Sequence, residues 1–190
     1  MKANMQMALG NYDTAEKLYE NAFKNGFRPG GIKLASILME NNLIDSAEVI
    51  LNSLADNSSS LVEFLITSAK LKLMRGETDN NLIDPAIGRA LTRIKNVPFD
   101  PVGHFNAGRS YALKGDYEKS SEYLNMALFL EDNPDHIGSI LLELGNLEDL
   151  NGAHDKAIDY YNRVINSDSG KYIKSLAEKY RDKPFSYKLN

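Results

Sequence analysis

A chain of 190 residues, 43% hydrophobic and 25% charged, is long enough for one domain or one compact repeat array and too apolar for a disordered chain. Its net charge of −4 and pI of about 5.4 argue against a general nucleic-acid binder, which needs a basic surface to displace counterions from phosphates. The absence of cysteine excludes disulfides, thiol catalysis and cysteine-ligated zinc.

From the N-terminus onward the chain repeats itself. Gly10-Asn11-Tyr12 is followed by Ala15 and then by Tyr19. Asn41-Asn42-Leu43-Ile44-Asp45-Ser46-Ala47 recurs 39 residues later as Asn80-Asn81-Leu82-Ile83-Asp84-Pro85-Ala86, with six of seven positions identical. Pairs of a small residue and, four positions on, an apolar one stand at Ala15/Tyr19, Ala47/Leu51, Ala86/Ala90, Ser120/Leu124 and Ala157/Tyr161, stepping by 32, 39, 34 and 37 residues. Gly10, Gly115 and Gly152 each precede their small residue by five. Gly76 stands further upstream of Ala86, which predicts an insertion of about one helical turn near residues 77–80.

Residues 101–134 show the unit most clearly. Pro101 suits a helix start, and Phe105, Gly108, Tyr111 and Ala112 recur at helical spacing. Gly115 ends that run. A second helix over 117–130 carries Leu124, Ala127 and Leu128 on one stripe, and Asn133-Pro134 ends it. The short loop predicts an antiparallel pair. Gly108 and Ser120 are small where one helix approaches the next, and Tyr111 and Leu124 fill the space beside them. One pair cannot bury both of its apolar faces, so neighbouring pairs must stack. Near the C-terminus, Tyr172, Ile173, Leu176, Ala177 and Tyr180 form one helical face and Lys171, Lys174, Glu178, Lys179 and Arg181 the other, as a terminal cap requires. Residues 184–190 are expected to be a loose tail.

Little in the sequence points to chemistry. His104, His136 and His154 are not paired at metal-binding spacing, and there is no glycine-rich phosphate loop or nucleophile elbow. His104 is expected to pack in the core, and His136 and His154 to be solvated at helix starts. Asp45, Asp84 and Asp116 are expected to cap helices or to stand in their first turns. Asn57-Ser58-Ser59 matches a glycosylation acceptor and reads first as a polar loop. No catalytic residue, metal or cofactor is expected. No apolar run approaches the ~18 residues of a membrane span, so no membrane insertion is expected. Residues 1–10 make a poor signal peptide. Localisation is open: cytoplasmic by default, periplasmic if a signal segment was trimmed.

These residues resemble the tetratricopeptide repeat, W-x2-L-G-x2-Y, then A-x3-F, then P. The match in residues 101–134 is His104, Ala107, Gly108, Tyr111, Ser120, Leu124 and Pro134. In the next repeat it is Leu141, Leu144, Gly145, Glu148, Ala157 and Tyr161. The first aromatic is absent from both, and Glu148 replaces the tyrosine. The resemblance implies an all-α, right-handed superhelix of about four to five helix-turn-helix repeats. A repeat array over 1–169 comprises a partial first repeat at 1–25, with helices at 1–9 and 12–24, and repeats at about 30–56, 60–96, 101–134 and 137–167. A capping helix at 170–181 and a tail at 182–190 follow. The clipped first pair suggests either a fragment of a longer array or a natural half-repeat.

The resemblance further implies that the first helix of each pair lines a concave groove. Its groove positions fall on Ile32, Lys33, Ser36, Met39 and Glu40; on Glu63, Ile66, Thr67 and Lys70; on Val102, Phe105, Asn106 and Arg109; and on Leu142, Glu143, Asn146 and Asp149. Lys33, Lys70 and Arg109 are expected to form a basic strip. Asn106 and Asn146 are placed to hydrogen-bond an extended backbone, and Glu143 and Asp149 turn the groove acidic. The expected function is a non-enzymatic adaptor that binds a peptide or partner segment in this groove. The alternative is a scaffold or assembly subunit of a cell-envelope, secretion or pilus complex, forming homo-oligomers or larger assemblies through its N-terminal end.

Overall fold

The computed structural model describes residues 2–58 and 61–187. Among them are eleven helices and no strand: α1 (Lys2–Leu9), α2 (Tyr12–Lys24), α3 (Arg28–Glu40), α4 (Ile44–Ser58), α5 (Val62–Met74), α6 (Asn80–Asn96), α7 (Pro101–Lys114), α8 (Tyr117–Leu130), α9 (Pro134–Leu150), α10 (His154–Ile165) and α11 (Lys171–Asp182). The first ten form five successive pairs, each packed on the next. The Asn57-Ser58-Ser59 triplet runs, at Ser59, outside the described residues.

All five turns inside the pairs share one construction. A left-handed residue (Gly10, Asn42, Gly76, Gly115 or Gly152, φ between 64 and 82°) closes the first helix. Its N–H reaches back three residues and that of the next residue reaches back five, as in Gly115 to the Ala112 carbonyl at 3.0 Å and Asp116 to the Tyr111 carbonyl at 3.0 Å. Glycine carries no Cβ penalty there, and asparagine is among the few residues that tolerate the same conformation.

The seven-residue match hides a shift. Asn41 and Asn42 form the turn after α3, whereas Asn80 and Asn81 already belong to α6. Ala86 is the seventh residue of its helix, while Ala15, Ala47, Ser120 and Ala157 are each the fourth of theirs. The extra turn therefore lies at the start of α6, where an insertion was expected. It also overturns the reading of Asp84 as a capping residue. The cap of α6 is Asp79, which accepts from the Asn81 N–H at 2.9 Å, and Asp84 pairs with Lys114 at 2.6 Å. Asp116 caps α8 by accepting from the Lys119 N–H at 3.2 Å, and Asp45 stands in the first turn of α4.

Small residues set the helix spacing. A Cβ on Gly108 would stand 2.6 Å from Leu124 Cγ, and one on Gly145 would stand 2.4 Å from Tyr161 Cε1. Ala15, Ala47, Ala86, Ala90, Ser120 and Ala157 are buried, as are Tyr19, Leu51, Leu124 and Tyr161. Tyr111 is half-buried and stacks on Tyr123. His104 is buried, and its Nε2 donates to the Pro98 carbonyl at 2.9 Å, which leaves Nδ1 as the bare nitrogen.

Successive first helices touch one another, α3 on α5, α5 on α7 and α7 on α9; no contact of that extent joins α4 to α6, α6 to α8 or α8 to α10 among the described residues. The array is thus drawn together on the first-helix side and curves around it. Curvature brings its ends together. Helix α11 packs on α9 and α10, and also on α1. A Cβ on Gly170 would stand 2.8 Å from Ala8 Cα, Tyr172 meets Tyr12 edge-on at 5.8 Å, and the Gly170 N–H donates to Asp135 at 2.6 Å. The outer side of α1 still exposes Met5 and Leu9.

The chain beyond α11 is not loose. Phe185 is 7% exposed, and Tyr187 is half-buried against both the N-terminal and the C-terminal core clusters. Residues 188–190 lie outside the described residues.

Candidate functional site

The concave face is built by α3, α5, α7 and α9, and its side chains are tied across helices in two rows. In the first row, Glu63 of α5 accepts from Arg109 of α7 at 3.0 and 3.1 Å, and Arg109 also faces Glu143 of α9 at 3.5 Å. Lys33 of α3 adds its field to Glu63. Burial pushes the Glu63 carboxyl up, and Arg109 and Lys33 outweigh it and hold it low. Burial likewise pulls the Arg109 guanidinium down, and Glu63 and Glu143 more than offset this. The Arg109 guanidinium also lies 5.3 Å from the centroid of the half-buried Phe105 ring.

The second row centres on Glu40, the last residue of α3. Its carboxylate accepts from Lys70 at 2.8 Å, from Lys179 at 3.4 Å and from the Tyr180 hydroxyl. Burial raises the Glu40 pKa, and Lys70, Tyr180 and Lys179 together overcome it and hold it at about 2. Burial and the facing Glu40 push the Tyr180 hydroxyl well above the usual tyrosine range. Lys70 stands 5.6 Å from the centroid of the Phe185 ring. On α9, Asp149 accepts from the Tyr161 hydroxyl at 2.7 Å and from the Phe185 N–H at 2.7 Å, and it meets His154 Nδ1 at 2.6 Å.

Lys33, Lys70 and Arg109 do not form an uninterrupted basic strip, because an acid of a neighbouring first helix faces each of them. Asn146 is buried and accepts from the Tyr161 hydroxyl at 3.1 Å, with its amide 3.5 Å from Glu143. On this face Asp149 accepts a backbone N–H of the chain itself, that of Phe185. Asn106 is buried, with no hydrogen-bond partner for its Oδ1 among the described residues. Ser36 turns back to the Ile32 carbonyl at 3.1 Å. His154 is drawn into the network by Asp149 and is not simply solvated, while His136 is exposed beside Glu131.

Sequence reasoning missed what fills this face. A cleft of about 360 Å³ is lined by Met39, Glu40 and Lys70 on one side and by Tyr180, Pro184 and Phe185 on the other. Phe185 sits edge-on between Tyr180 and Tyr187, each at 5.1 Å. The signal was there in two aromatics, Phe185 and Tyr187, in a segment otherwise short of apolar residues. Among the described residues, no group of three or more acidic or histidine side chains converges as a metal site, and no helix is long and apolar enough to cross a membrane.

Residues 105–171 match the tetratricopeptide repeat family model. The fold is similar to the crystal structure of a thermophilic tetratricopeptide repeat protein of Thermus thermophilus, with 23% identity, coverage of 95% of this chain and 94% of that chain, and a TM-score of 0.55. The crystal structure of MamA protein is 15% identical over 97% of this chain and 92% of that chain, with a TM-score of 0.40. No curated protein matches significantly in sequence. The repeat match over residues 105–171, the glycine-closed helix pairs and the shared fold show that this chain is built as a tetratricopeptide-type helical solenoid.

Proposed function

We propose that this chain is a non-enzymatic interaction module that takes an extended segment of a partner protein along its concave face. The observation that supports this reading is that the same face already accommodates a non-helical peptide, the chain's own residues 183–187, through Lys70, Asp149 and Tyr180. The side chains around that peptide hold one another in place, so binding a segment there orders few new groups and retains more of the interaction energy as affinity.

The test is a peptide library selected against the full chain. Binders are then titrated against two variants. One carries Lys33→Glu and Val102→Asp at exposed groove positions; the other carries Val49→Ser and Phe129→Ser, which remove exposed apolar side chains of second helices. Binding should fall at least about tenfold in the first and stay unchanged in the second, a difference of about 1.4 kcal/mol. The opposite pattern refutes the groove assignment.

A further inference from the structure

The seat of the tail specifies a ligand. Asp149 Oδ2 accepts the Phe185 N–H at 2.7 Å, so this contact reads backbone and not side chain. The Phe185 ring is buried between Tyr180 and Tyr187 with the Lys70 ammonium over it. Tyr187 lies in the field of Glu143 and Arg109, and burial first, then Glu143, push its hydroxyl well up. Pro184 and Ser186 are exposed. The Phe185 and Tyr187 rings meet at 5.1 Å while Ser186 between them is exposed, so the seated segment reads as aromatic-x-aromatic.

The polar side of the seat has partners besides the tail. Asp149 keeps Tyr161 and His154 as partners, and Lys70 keeps Glu40. Lifting residues 184–187 away breaks no helix-helix contact.

We propose that the partner segment carries an aromatic-x-aromatic pattern and that residues 184–187 are a resident competitor it displaces. The proposal rests on the peptide-in-groove reading above and names the chemistry of its ligand. A tethered competitor acts at a local concentration of roughly millimolar order, so only a segment that reproduces the seated contacts gains entry. The tail thereby sets a threshold of affinity and a filter for sequence.

A labelled peptide of residues 182–190 is titrated by fluorescence anisotropy into the full chain and into the full chain with Phe185→Ala and Tyr187→Ala. The double variant is expected to bind it at least about tenfold more tightly, because the competent fraction rises when the tail no longer occupies the site. A peptide with both aromatics replaced by alanine, or with the Phe amide N-methylated, is expected not to bind. Equal affinity for both chains, or undiminished binding of the N-methylated peptide, overturns the proposal. A second measurement keeps it open to refutation if the double variant melts early. In the unaltered, isotopically labelled chain, the Phe185 amide is expected to lose exchange protection as unlabelled peptide is added in excess; constant protection overturns the proposal. Protection that grows with protein concentration alongside a dimer in light scattering seats the tail in a second copy and overturns the intramolecular competitor. Library binders that map to the groove without the aromatic pair overturn the pattern and leave the interaction reading standing.

Discussion

Glu40→Gln tests the joint where the C-terminal helix meets the third. The carboxylate is 15% exposed and faces Lys70, Lys179 and Tyr180, which hold its pKa at about 2 instead of 4.5. At about 1.4 kcal/mol per unit, that depression contributes about 3 kcal/mol of stability when the group is ionised in both states. The folded pKa is the lower one, so this stability is complete above pH 4.5. As pH falls, the unfolded chain takes up the proton first; more than half of the contribution is gone by about pH 3 and nearly all of it by about pH 2. Glutamine keeps the shape, removes the charge and leaves Lys70 without its partner. The variant should therefore be about 3 kcal/mol less stable near neutrality, and the gap should close to below about 1 kcal/mol near pH 2. Urea denaturation followed by circular dichroism at a series of pH values measures the gap directly. Taking the difference between the two proteins cancels the other acids, such as Asp100, which the hydrogen bond from Arg93 chiefly holds low. A gap that does not change between neutrality and pH 2 would refute the reasoning.

The same denaturation assay checks four further expectations. Gly108→Ala should destabilise by about 1–3 kcal/mol, because its Cβ meets Leu124 Cγ at 2.6 Å and the Leu124 backbone nitrogen at 3.1 Å; Gly88→Ala, with nothing within 4 Å on the exposed side of α6, should stabilise by about 0.5–1 kcal/mol. Gly115→Ala also meets no atom within 4 Å, yet its φ of +80° should cost about 1–2 kcal/mol through the backbone alone. Asp116→Ala should lower the urea midpoint by removing the cap on the Lys119 N–H, with no change in the far-ultraviolet spectrum of the native state.

The repeat was legible because its determinants are local. A left-handed glycine, a small residue five positions on and a large apolar residue four beyond that fix a turn and a contact stripe within a dozen residues. Where the local signal was ambiguous, reading failed in a definite way. Asn42 does the work of a glycine in the turn after α3, yet the matching Asn81 lies in the first turn of α6, because the same residue type serves in either place. Asp84 was misassigned for the same reason, since the extra turn of α6 moved the cap upstream to Asp79. The repeat register assigned groove positions one by one, but it could not assign their pairing. Arg109 to Glu63 spans 46 positions and Tyr180 to Glu40 spans 140. Such contacts depend on how tightly the array curves, and curvature is a small rotation per repeat that no short pattern encodes. The docked tail was hidden for the same reason: Phe185 and Tyr187 acquire a place to go only after the ends have met.

That meeting of the ends changes the mechanics of the molecule. In an open stack each outermost unit has one neighbour, and unravelling starts there at little cost. Here α11 rests on α1, α9 and α10 together, so the two outermost pairs share a neighbour and neither is a free margin. Fraying from one side must also strip the other, and amide protection in α2 and α10 should rise and fall together. The pitch of the coil is clamped as well: any partner that widens or narrows the trough has to flex a loop of helices fastened at its seam.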